Sequence, residues 1–329
     1  MCWGAAACLP IPRSWIHAFV AASNANSVVH EADSLEQVRS EVEGMIDFHV
    51  HTSPDAFDRT VDGVEAARTA RALGMRAIVL KGGAFETVTR AAQANAEVGG
   101  GIQVFGGVVL NWPTGGINAE AVEAMVTFRG GGAEGLGRVV WLPSINARNH
   151  HERFGIPQPG VEVFNGTRLV PAMREILAMC AEYGLVLQTG HLSAQEALAV
   201  IREARAAGVE KIVCTHADYD PINMTIEEQR EAARLGAHIE HAYSGVFLGP
   251  DSPVERFRLW RGVSVEQMAA AIRAVGAERC ILSSDLGAAP LVKPAEGYLA
   301  FVQRLRELGI TDRELDLMGR RTPAQLLEL

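Results

Sequence analysis

The sequence predicts an α/β protein: a (β/α)8 TIM barrel with a short N-terminal extension and C-terminal helices. Three observations carry this. Eight short, continuous apolar runs recur between residues 45 and 285, as expected of parallel strands buried on both faces. Helical stretches separate these runs and tend to stop at a glycine, the residue that a left-handed C-cap favours; Gly74, Gly184, Gly208, Gly236, Gly276 and Gly309 are such stops. Reactive side chains gather at the C-terminal ends of the runs, where barrels of this kind place their chemistry. An open doubly wound sheet is the alternative. The dinucleotide fingerprint G-x-G-x-x-G is absent after the first run, which weakens a nucleotide-binding version of it.

The elements follow in order. Residues 34–44 read as a short helix capped by Ser34 and leading into a strand at 45–50. That strand carries Ile46-Asp47-Phe48-His49-Val50-His51, whose two histidines are spaced i, i+2 and so share a side. Two imidazoles facing one point suit a metal ion. Helix 61–73 leads to strand 76–80 and Lys81-Gly82-Gly83. Helix 85–98 leads to strand 102–110, and helix 119–128 to a glycine-rich link and strand 138–142. Residues 143–167, interrupted by three prolines, read as an irregular loop. Helix 168–183, strand 185–189, helix 194–207, strand 211–215, helix 225–235 and strand 237–241 continue the alternation. After a long loop at 244–262 come helix 264–275, strand 280–284 and helix 294–308. Short helices at 312–318 and 322–328 close the chain. The expected division is an N-terminal arm and short helix at 1–44, a barrel at 45–310, and a C-terminal helical segment at 311–329.

Composition narrows the function class. The chain has 329 residues, 48% hydrophobic and 21% charged, with a net charge of −9 and scattered basic residues. Nucleic-acid binding needs a concentrated basic face, so it is not expected. A small anionic substrate held by one or two local cations is compatible. None of the five cysteines, Cys2, Cys8, Cys180, Cys214 and Cys280, forms a C-x-x-C pair. This favours a reducing, cytoplasmic setting without disulfides. No apolar run reaches the roughly 18 residues of a membrane span. The N-terminus lacks a basic leader and is broken by Pro10, Pro12 and Arg13, so no secretory signal is expected. A homo-oligomer is the expected assembly.

At the run ends stand His49 and His51, Lys81, Asn111, Ser144 and Asn146, His191, His216, Glu240 and His241, and Asp285. Four of the ten histidines fall at the ends of the first, fifth and sixth runs. Glu240 and His241 alternate, so only one faces inward; His241 is the preferred one. His150 and His151 read as part of a solvated loop. Asn111, Trp112, Asn146, Arg148 and Tyr219 are candidates for shaping a pocket. Lys81 is a candidate anion site, helped by the Gly82 and Gly83 N–H groups.

The sequence resembles the amidohydrolase superfamily of metal-dependent barrel hydrolases over roughly residues 45–290. The resemblance rests on Asp47-Phe48-His49-Val50-His51, Thr189-Gly190-His191, Thr215-His216-Ala217-Asp218 and Ser283-Ser284-Asp285. It implies that His49, His51 and Asp285 hold one divalent ion. It implies that His191 and His216 hold a second, or position substrate when there is one. Zinc is the leading choice, with manganese, iron or nickel as alternatives. The expected reaction is attack of metal-activated hydroxide on the carbonyl of an amide, lactam or lactone of a small molecule, with Asp285 shuttling the proton. The candidate catalytic residues are Asp285, His216 and Lys81. The candidate substrate-binding residues are Lys81, Asn111, Asn146, Arg148 and His241. A phosphoesterase on the same barrel, or a lyase that decarboxylates or hydrates, is the alternative. The chain departs from two-metal members in lacking a bridging lysine or glutamate at the end of the third or fourth strand. Lys81 lies one strand early, so one firmly held ion is favoured.

Overall fold

A computed structural model of the protein describes residues 39–329. The expected Ser34 cap, the start of its helix, Cys2 and Cys8 lie outside the described residues; residues 39–42 are helical. Eight strands form one sheet in chain order. They are β1 (Ile46–His51), β2 (Ala77–Lys81), β3 (Gln103–Val109), β4 (Gly137–Trp141), β5 (Val186–Gln188), β6 (Ile212–Cys214), β7 (His238–Ala242) and β8 (Cys280–Ser283). Every neighbouring pair is parallel. The sheet closes through a bridge between Val50 and Leu286 and through the Asp285 N–H, which donates to the His49 carbonyl at 2.9 Å. The fold is the expected (β/α)8 barrel.

Helices cover its outside, α1 (Gly63–Ala72), α2 (Val88–Val98), α3 (Ala119–Thr127), α5 (Pro171–Glu182), α6 (Ala194–Ala206), α7 (Ile226–Arg234), α8 (Val265–Val275) and α9 (Pro294–Glu307), while the short α4 (Arg148–Phe154) lies over the rim. Their starts are set by local chemistry. Ser193, Thr225 and Ser264 cap α6, α7 and α8, each with a glutamate or glutamine three residues on that reaches back to the cap. Such boxes satisfy the free N–H groups of the first turn. The segment 143–167, expected to be an irregular loop, contains α4. Proline restricts its own backbone and that of its predecessor, and α4 fits into the proline-free stretch between Pro143 and Pro157.

Two apolar layers result. Val50, Ile78, Leu80, Val104, Val108 and Ile212 face the helices, in a core cluster that includes Ala66, Ala91 and Val200. Ile46, Phe48, Val79, Phe105, Trp141 and Val213 fill the inside of the barrel, and Ala324, Leu326 and Leu327 from the last helix pack into that same cluster. Glu328 ties this helix to the strand starts, meeting Lys211 at 2.6 Å and Arg138 at 3.3 Å. The floor of the barrel is thus apolar and plugged, which leaves polar chemistry to the opposite, C-terminal rim. The three described cysteines are free and buried. Among the described residues no helix is long and apolar enough to cross a membrane.

Candidate functional site

A register shift in β1 between Asp47 and Val50 sets the site. Ile46 and Phe48 face the barrel interior, and the shift lets His49 and His51 face it as well, with Val50 outward. A bulge re-aims a strand in this way. Asp47, on the outer side, accepts the Ser284 N–H at 2.8 Å and so fastens β1 to the residue before Asp285. Asp285 has a positive φ of 49°, and His216 one of 26°. Non-glycine residues held there store strain, which tends to collect at working sites.

The Nε2 atoms of His49 and His51 each stand 3.0 Å from Asp285 Oδ1. His49 Nε2 is buried without a hydrogen-bond partner. The three ligand atoms all lie within 4.8 Å of one another, close enough for one ion to reach all three. They form the one cluster of three such ligands among the described residues. The donor set therefore fits a divalent ion. Burial and nearby Arg59 hold His51 well below its ordinary pKa, leaving it neutral and able to ligate. Burial opposes a proton on His49, but the Asp285 and Glu240 carboxylates outweigh it and raise the group to about 9. An ion seated there would take that proton's place.

The other oxygen of Asp285 is engaged separately. Oδ2 accepts from Ser244 Oγ at 2.8 Å and from the Tyr219 hydroxyl, and these two hydroxyls meet at 2.9 Å. Burial raises the Asp285 carboxyl, but His49 and the His51 contact hold it well below the usual carboxylate range.

His216 lies over His49, ring centroids 5.9 Å apart, and over Tyr219 at 4.5 Å. His191 meets His216 edge-on at 4.9 Å, and its Nδ1 is 2.9 Å from His150 Nδ1. Burial lowers both His191 and His150, the latter to about 3. One ring therefore donates and the other accepts. His51, Asp285, Tyr219, Ser244, His216, His191 and His150 reach one cavity of about 600 Å3, which Lys81 and Asn146 also line, with His49 buried behind them.

Several expected placements are corrected. His241 points to the helix side and contacts Asp218 at 2.5 Å; Glu240 is the inward residue of β7. The pleat decides this, because Ile239 packs in the outer layer and its neighbour two along must follow it. Arg148, at the start of α4, pairs with Glu196 at 2.6 Å and does not line the cavity. Asn111 is fully buried and structural: it donates to the Gly83 carbonyl and Ser144 Oγ, and accepts the Ser144 N–H. The Gly83 N–H is taken by Asp55 at 3.1 Å. His150 and His151 are buried helical residues that line the cavity, because α4 folds back over the rim.

Glu240 is the inward residue that sequence reasoning passed over in favour of His241. It is wholly buried and stands 3.2 Å from His49 Nδ1. It also accepts the His216 N–H at 2.9 Å and the Ser283 hydroxyl at 2.8 Å. A carboxylate behind a ligating histidine fixes its tautomer and aim. The β7 sequence His238-Ile239-Glu240 carried the signal, since one apolar residue there marks the helix side.

Gly190 makes the turn that delivers His191. Its φ is +59°, and a Cβ there would lie 2.3 Å from the Leu142 carbonyl oxygen. Gly190→Ala is expected to destabilise the fold by more than about 2 kcal/mol, from strain plus a backbone clash. Chemical denaturation measures this, and an unchanged midpoint would show that the turn relaxes freely.

Comparisons with known proteins agree with the fold. A family model described as a family of unknown function (DUF6282) matches residues 44–240. No curated protein matches. Among solved structures, the chain is similar to an organophosphorus hydrolase from Deinococcus radiodurans. Identity is 17%, 88% of this chain and 93% of that chain are covered, and the TM-score is 0.57. It is similar to a mutant of a PTE-like lactonase from the same organism, at 17% identity, 88% and 97% coverage and a TM-score of 0.57. A third structure, described as engineered for organophosphate hydrolysis from a weak promiscuous lactonase template, aligns at 18% identity, 86% and 95% coverage and a TM-score of 0.56.

Proposed function

The chain belongs to a family of unknown function, DUF6282, and from that starting point we propose that it is a metal-dependent hydrolase of a small molecule. The observation that supports this most is the convergence of His49 Nε2, His51 Nε2 and Asp285 Oδ1 at one point on the barrel rim. His49, His51 and Asp285 would hold the ion, zinc first among the choices, with His191 and His216 beside it to take a second ion or to position substrate. A divalent ion there supplies Lewis acidity, making a water acidic and a carbonyl electrophilic.

The chain's own residues supply the rest. Asp285 takes the proton of the attacking water and returns it to the leaving group. The Tyr219 and Ser244 hydroxyls keep its carboxylate aimed while this happens. His216, stacked between His49 and Tyr219, and His191, held by His150, border the substrate's reacting group. Phe154, Trp260 and Phe257 line the cavity and exclude water. Lactones are the first substrates to try, since a barrel described as a lactonase is among the similar structures; amides and lactams follow.

Metal analysis of protein purified without chelator is expected to find about one equivalent of a divalent transition ion. Chelation should abolish lactone hydrolysis, and the ion should restore it. Less than about a tenth of an equivalent, together with activity that resists chelation, would overturn the reading. Release of carbon dioxide without ring-opened product would move the chemistry to a lyase.

A further inference from the structure

Two cationic side chains that line the cavity have no ion-pair partner among the described residues. Lys81, Arg59 and Arg256 all line it. Arg59 is satisfied, its guanidinium meeting Asp55 at 2.6 and 3.0 Å. Asp55 is in turn saturated by the Gly83 and Ala56 N–H groups. Lys81 is 3% exposed, and among the described residues its ammonium has no hydrogen-bond or ion-pair partner. It ends β2 directly beside His51, its partner in the strand register. Arg256 likewise has no carboxylate partner among the described residues and rests over the Phe57 and Phe257 rings, 4.4 and 4.7 Å from their centroids.

Burying an ammonium without a partner is costly. Lys81 and Arg256 both line the cavity without an ion-pair partner among the described residues. Such a pair is poised for an anion that arrives with the substrate.

We propose that the cavity is built for a substrate bearing a carboxylate, which Lys81 and Arg256 hold beside the His49–His51–Asp285 centre. This names the substrate class and rests on the hydrolase reading above. A carboxylate fits better than a phosphoryl group on donor count. Two free cationic groups match two oxygens, and a guanidinium matches a planar carboxylate. A phosphoryl group offers three oxygens and asks for more donors, while the N–H of Gly83, which lines the cavity, is already committed to Asp55. The Phe57 and Phe257 rings would flank the apolar body next to that carboxylate.

Titration calorimetry on the metal-loaded full chain tests this without turnover, using benzoate, benzamide and phenyl phosphate. Benzoate should bind at least tenfold tighter than benzamide and weaken with salt. Lys81→Met and Arg256→Met should each weaken benzoate at least tenfold and leave metal content unchanged. Equal affinity for benzoate and benzamide would overturn the proposal. So would a benzoate affinity that Arg256→Met leaves intact, since the carboxylate would then be sitting on the ion. Phenyl phosphate binding tenfold tighter than benzoate would overturn the choice of carboxylate. If no lactone or amide is hydrolysed but the benzoate pattern holds, the hydrolase reading fails and the anion site stands.

Discussion

Asp285→Asn is expected to lower kcat by at least about 10³-fold, through loss of a proton acceptor, while the far-ultraviolet spectrum stays that of the folded barrel. The substitution keeps shape and volume. On one side, Asp285 Oδ1 faces His49 and His51 Nε2 at 3.0 Å. An amide there loses the negative charge, so it binds a divalent ion less firmly. On the other side, Oδ2 accepts from Tyr219 and Ser244. Those hydroxyls can rotate and accept from an amide instead, which is why the fold should tolerate the change. An amide accepts no proton at neutral pH, so the loss should persist when metal is supplied in excess. Rescue to wild-type kcat by excess metal would reduce Asp285 to a ligand and assign the proton transfer to another group, of which Tyr219 is the nearest.

The barrel and this corner of its site were legible because both follow from rules of long reach. Continuous apolar runs ending in His51, His191, His216 and Asp285 pointed to parallel strands, and parallel barrels bring such ends to one rim. The remaining features depend on contacts that no local pattern encodes. The inward face of β7 is the exception: Glu240 and His241 are both polar, so polarity left the choice open, but Ile239 on the helix side fixes the pleat phase. His150 and His151 looked like loop residues because α4 is only 7 residues long; its position over the rim comes from tertiary packing, with His150 on His191 and Trp260. Arg256 lies in a segment without periodicity, and the role proposed for it rests on its having no carboxylate partner among the described residues. Arg148 looked equally available in the sequence, yet Glu196 neutralises it from a neighbouring helix.

Glu240 should give the second large effect, and two substitutions separate its two tasks. Glu240→Ala removes the acceptor for three buried donors: the His49 ring, the His216 backbone and the Ser283 hydroxyl. An unsatisfied buried donor costs about 1–3 kcal/mol. The expected loss is therefore about 3 kcal/mol or more, read as a clear fall in the denaturation midpoint. Glu240→Gln keeps the volume and one acceptor oxygen, so it should lose far less stability. It gives up the charge behind His49, and with it the force that orients the ring and makes Nε2 a strong donor to metal. Metal affinity should fall about 10–100-fold, with turnover recovering as the ion is added in excess. That recovery is the signature of a positioning residue, and it sets Glu240 apart from Asp285, whose replacement excess metal should not rescue. Wild-type metal affinity in Glu240→Gln would leave the residue a purely structural acceptor, and the aim of His49 would then rest on its contacts with His51, Trp141 and His216 alone.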